Sequence, residues 1–104
     1  MQIPLASIPD QGLLPVKLPS GDRLVLVRRG NVVTALEDEC THQAMPLSAG
    51  ELLPDGIIEC PWHGARFRCE NGACVQGPAT DPVATWAVTV AGDQVVIGAR
   101  QPTT

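Results

Sequence analysis

The sequence predicts a small all-β fold. Short runs rich in Val, Leu and Ile recur along the chain, and turn-forming residues separate them. Gly30-Asn31, Asn71-Gly72 and Gly92-Asp93 fall between such runs, where tight connections are needed. No apolar run keeps a helical period without an interrupting Pro or Gly.

In chain order, IPLASI (residues 3–8) reads as a first strand. LLPVKL and RLVLVRR flank a turn at Pro19-Ser20-Gly21-Asp22, and NVVTALE follows Gly30-Asn31. These runs predict an antiparallel meander. From Asp38 to Pro54 the pattern breaks into small and polar residues. One helical turn could form within 43–53, limited by Pro46 and Gly50. GIIE is a short strand leading into Cys60. RFRC and ACVQ flank Asn71-Gly72, which as a two-residue turn would set Cys69 opposite Cys74, within reach of a disulfide. GPATDP is a stiff loop. TWAVTVA and QVVIGA close the chain as a hairpin, and Trp86, Val88 and Val90 alternate with Ala87 and Thr89 as in a half-buried strand.

A chain of 104 residues predicts one domain. Apolar residues at 44% against 17% charged argue for a packed core. With no Tyr and only Phe67, Trp62 and Trp86 as aromatics, that core rests on aliphatic side chains. The net charge of −4 and the lack of a basic cluster argue against nucleic-acid binding. No stretch matches a membrane span, and the first residues lack the basic and apolar regions of a signal peptide. A cytoplasmic location and a monomer are expected. In the cytoplasm, clustered cysteines read as metal sites or free thiols more often than as disulfides.

The chemistry concentrates in CTHQAMPLSAGELLPDGIIECPWHG, residues 40–64. It contains both histidines and two of the four cysteines. Cys40-x-His42 and Cys60-x-x-His63 are separated by 17 residues. Thiolate and imidazole suit zinc, copper or an iron–sulfur cluster, and two such loops could clamp one inorganic centre from two sides. Core cysteines with two unrelated surface histidines would give the same composition.

Taken together, Cys40-Thr41-His42, Cys60-Pro61-Trp62-His63-Gly64, PLSAGEL, ARF, Asn71-Gly72 and GPA at 77–79 resemble the Rieske-type ferredoxins over essentially the whole chain. The resemblance implies one [2Fe-2S] cluster per chain. Cys40 and Cys60 would ligate one iron, and His42 and His63 the outer iron, through whose imidazole edges the electron would leave. It implies three small antiparallel sheets, with a cluster-binding lobe (about 39–80) inserted into a base lobe (about 1–38 and 81–104). It further implies an electron carrier rather than an enzyme, working between a flavin-dependent reductase and the terminal oxygenase of an aromatic-ring dioxygenase or monooxygenase. Two rivals share the residues: the small subunit of an assimilatory nitrite reductase, and a non-redox Cys2His2 zinc-binding module.

Trp62 would shield the centre and Pro78 would cover it. Leu47 and Leu52 would pack beneath it, and Trp86 would fill core. Glu37, Asp38, Glu39, Glu51, Asp55 and Glu59 read as solvated surface that could form an acidic rim. Cys69 and Cys74 read as free thiols.

High-potential members of the family carry an inter-loop disulfide and hydroxyl donors to the cluster. Here Met45 and Trp62 occupy the disulfide positions, Ala65 replaces the serine, and there is no Tyr. Fewer hydrogen bonds to sulfur leave the added negative charge less stabilised. A redox titration is therefore expected to give a potential at the low end of the Rieske range, on the order of −150 mV. The potential should fall at alkaline pH, because the imidazole N–H groups are more acidic in the oxidised state.

Overall fold

In the computed structural model, the described residues are 1–40, 45–61, 64–77 and 81–102. Among these residues, ten strands run in chain order: β1 (Gln2–Pro4), β2 (Gly12–Lys17), β3 (Arg23–Arg29), β4 (Val32–Glu37), β5 (Glu51–Leu53), β6 (Ile57–Glu59), β7 (Arg66–Arg68), β8 (Cys74–Gln76), β9 (Thr85–Ala91) and β10 (Gln94–Arg100). Every strand pair is antiparallel. Among the described residues the only helical pieces are single 3-10 turns at Leu5–Ser7, Leu47–Ala49 and Pro54–Gly56. The turn at Leu47–Ala49 falls where one was expected, between Pro46 and Gly50.

The strands form two sheets, ordered β1-β10-β9-β4-β3-β2 and β5-β6-β7-β8. Three were expected. The difference lies in β4 and β9, which share only the pairs Ala35–Trp86 and Leu36–Thr85. That short contact fuses the β2-β3-β4 meander to β1-β10-β9. The first strand is also shorter than IPLASI. Past Pro4 the chain turns, with Ser7 Oγ donating to the Pro4 carbonyl at 2.6 Å and Ile8 N–H to the Leu5 carbonyl at 3.1 Å. Strand β5 had no alternating pattern to reveal it in three residues.

Strand β3 is the shared wall. Leu24 and Leu26 point into one core with Ile8, Val33, Ala35, Trp86, Val95 and Ile97. Val25 and Val27 point into another with Leu36, Leu47, Ile58, Phe67 and Val83. All four β3 residues are essentially fully buried. A strand covered on both faces shows a continuous apolar run, as LVLV does. Trp86 packs in the first of these cores, as expected, and Arg100 stacks 5.8 Å over its ring.

The hairpin after β7 differs from the two-residue turn expected at Asn71-Gly72. Phe67 stands opposite Cys74, and Arg68 N–H bonds the Ala73 carbonyl at 2.9 Å. Four residues, 69–72, therefore make the turn. Tertiary contacts decide this. Cys69 N–H donates to the Gly56 carbonyl and Val83 N–H to the Gly72 carbonyl, both at 2.9 Å. Cys69 thus does not face Cys74, and no disulfide joins them.

Gly50 follows the 3-10 turn at Leu47–Ala49, and its N–H closes that turn on the Leu47 carbonyl at 2.9 Å. A Cβ there would collide with the backbone carbonyl of Glu59, in the last residue of β6. Backbone cannot yield as a flexible side chain can. Gly50→Ala should therefore lower stability by about 1–3 kcal/mol in urea unfolding, whereas Ala49→Ser, at an exposed neighbour, should leave it within about 0.5 kcal/mol.

Candidate metal centre

Cys40 and Cys60 are each 2% exposed and belong to one core with Leu47, Ile58, Ala65 and Phe67. Leu52 and Met45 pack against that core from its edge. The two leucines expected near the centre are therefore packed with both thiols. His42, His63, Trp62 and Pro78 lie outside the described residues.

The two cysteines have the same backbone setting. Cys40 N–H donates to the carbonyl of Met45 at 2.9 Å, and Cys60 N–H to the carbonyl of Ala65 at 2.7 Å. Each bond joins a cysteine to the residue five places on. Each enclosed segment holds one histidine of the sequence. The chain thus carries two loops closed alike, with a buried sulfur at the same position in each.

Neighbouring side chains brace both loops. Asp38, just ahead of Cys40, accepts Ser48 N–H at 2.7 Å and Ser48 Oγ–H at 2.6 Å. That pair ties the entrance of the first loop to the 3-10 turn beyond its exit. The second loop connects β6 to β7, and Glu59 and Arg66 pair at its base, 2.7 Å apart. Arg66 also relieves the like-charge register of Glu51 opposite Glu59. Gln76 Nε2 donates to the Gly64 carbonyl at 3.1 Å. Of the six acidic residues read as solvated surface, Glu39, Glu51 and Asp55 are exposed, whereas Asp38 and Glu59 make these structural contacts. Ser48, Arg66 and Gln76 were not singled out from the sequence. Their partners lie seven to twelve residues away, a separation with no local signature.

Two thiols buried in one core, on two loops closed alike, suit an inorganic centre held from two sides. Thiolates would neutralise a cationic metal core there, while Leu47 and Phe67 keep water away. The fold and these loops define a class: an all-β protein with two buried cysteines at the heads of two similarly closed loops. The Rieske [2Fe-2S] domain model matches residues 5–87, and the chain belongs to that family. Its cofactor is a Rieske-type [2Fe-2S] cluster. The donor set fits that group: two buried sulfurs in one core, and one histidine in the sequence of each of the same loops.

The chain is 33% identical to the 3-phenylpropionate/cinnamic acid dioxygenase ferredoxin subunit of Escherichia coli (strain K12), over 90% of this chain and 87% of that protein. Its structure is similar to the ferredoxin of carbazole 1,9a-dioxygenase from Nocardioides aromaticivorans IC177, with a TM-score of 0.87, 28% identity and 93% of each chain covered. It is also similar to a chain in a complex of reduced oxygenase and oxidized ferredoxin in carbazole 1,9a-dioxygenase, with a TM-score of 0.83, 28% identity and coverage of 93% and 92%. The fold is the Rieske fold. Among the described residues, no helix is long and apolar enough to cross a membrane.

Cys69 shares the core but is set apart chemically. It is 4% exposed, and burial pushes its thiol from 9.0 up to about 11, against a smaller opposing pull from Arg29. The group is protonated at neutral pH and unreactive. In native protein at pH 7, Cys69 should resist iodoacetamide and label only after denaturation, as read by peptide mapping. Because its folded pKa lies above the unfolded one, the stability it contributes is complete below about pH 9 and is lost as the pH rises toward 11.

Proposed function

We propose that this chain is a one-electron carrier in which Cys40 and Cys60 bind one iron of the cluster and His42 and His63 bind the other. When bound, the cluster takes up and releases a single electron. The cysteines supply two negative charges inside the core, and the histidines supply neutral donors. The site residues are thus all committed to holding the metal, and none is left as a general base. The chain accordingly transfers electrons without catalysing a substrate reaction itself. The observation that carries the reading is the matched closure of the two loops around two buried thiols of one core.

The partners we propose are a flavin-dependent reductase as donor and a terminal oxygenase as acceptor, in an aromatic-ring dioxygenase or monooxygenase system of the cytoplasm. The naming of relatives as dioxygenase ferredoxins supports this, as does the solved association of a similar ferredoxin with its oxygenase. The same relatives favour this reading over a nitrite-reductase subunit or a zinc module. The division into a base lobe (about 1–38 and 81–104) and a cluster-binding lobe (about 39–80) is supported by the separation of β5–β8 into their own sheet. We take the working unit to be a monomer with one cluster.

Purified protein is expected to be red-brown, with two irons and acid-labile sulfide per chain and an EPR signal on reduction. Cys60→Ser should lose the colour and the signal. A colourless wild type holding one zinc would overturn the proposal. Mixing with a reductase and oxygenase of an aromatic dioxygenase system should give product only when the holoprotein is added.

A further inference from the structure

Strand β8 does not pair with β7 in even register. Phe67 stands opposite Cys74, but the next residue back along β7, Arg66, stands opposite Gln76. Val75 is therefore an extra residue, a β-bulge, and it is left 44% exposed. Bulges disrupt pairing locally and re-aim side chains, often beside functional sites. Without the bulge, Val75 would stand opposite Arg66. With it, Gln76 occupies that place, and its Nε2 lies 3.1 Å from the Gly64 carbonyl oxygen.

That carbonyl belongs to the peptide joining Gly64 to Ala65. Ala65 supplies the oxygen that closes the loop on Cys60 N–H at 2.7 Å. Gly64 has φ of +73°, in the left-handed region. Two donors thus grip successive carbonyls immediately after His63: Gln76 on Gly64 and Cys60 on Ala65. The first is supplied from outside the loop, by a strand that only the bulge brings into reach.

We propose that Gln76 is a positioning residue for the second ligand loop: its side-chain amide fixes the Gly64–Ala65 peptide and so holds the loop that presents Cys60 and His63 to the cluster. This rests on the ligand reading given above. The donor is essential, because a carboxylate in its place would face the carbonyl oxygen with no proton to share. The side chain is exposed, so its replacement leaves the core intact.

The test uses the holoprotein with wild type, Gln76→Leu, Gln76→Glu, Gln76→Lys and, as a control on the bulge, Val75→Thr. Loss of the visible cluster absorbance at a fixed, sub-denaturing urea concentration is followed, together with the EPR g-values of the reduced state. Gln76→Leu and Gln76→Glu should bleach about two- to fivefold faster, the scale of one net hydrogen bond, with shifted g-values. Gln76→Lys, which keeps a donor, and Val75→Thr should match wild type. Leu and Glu variants that bleach at the wild-type rate with unchanged g-values would overturn the positioning role and leave the ligand reading standing. A wild type lacking iron and labile sulfide would overturn both.

Discussion

Two backbone hydrogen bonds organise this molecule: Cys40 N–H to Met45 O and Cys60 N–H to Ala65 O. Each closes a short loop whose first residue is a cysteine, and both sulfurs are buried in the same aliphatic core. A thiol in such a place gains little from water and is unreactive on its own. Such a residue would be useful as the thiolate that holds a cationic centre. The rest of the fold can be understood as what holds those two loops in one place.

The holding is done by a chain of backbone approaches. Strand β3 is buried on both faces and carries one core on each. The 3-10 turn after the first loop is pressed so closely on β6 that only glycine fits at position 50. The β7–β8 turn is pinned to Gly56 on one side and Val83 on the other. Side-chain bonds then trim the geometry: Asp38 with Ser48 near the first loop, and Glu59–Arg66 and Gln76 around the second. The pieces that carry the cysteines are short, so little of their order comes from their own strand pairing. It comes from contact with neighbours.

This arrangement bears on electron transfer. A carrier should change shape little between redox states, since every rearrangement adds to the barrier for moving the electron. Loops closed by their own backbone and braced from outside meet that need. The surroundings also shape the energy of the added electron. Ala65, at the exit of the second loop, is fully buried and carries only a methyl group, so it offers no hydroxyl donor there. The remaining buried thiol, Cys69, stays protonated and adds no charge of its own to the core.

Much of this was legible in the sequence. Strand alternation and turn residues located nine of the ten strands among the described residues at least in part, because period-two burial writes itself into consecutive residues. The Cys-x-His and Cys-x-x-His pairs pointed to the metal chemistry, since few other uses need those donors at that spacing. Other features depend on partners distant in the chain. Strand β5 is three residues long and owes its existence to β6. The turn at 69–72 is longer than Asn71-Gly72 alone implies, because Gly56 and Val83 pull it inward. The fusion of two sheets rests on two residue pairs separated by some fifty positions. Local pattern determined which segments become strands and which residues are proposed to bind metal. Tertiary packing alone decided register, sheet number and the braces around each loop, because those depend on which backbone groups meet once the core has closed.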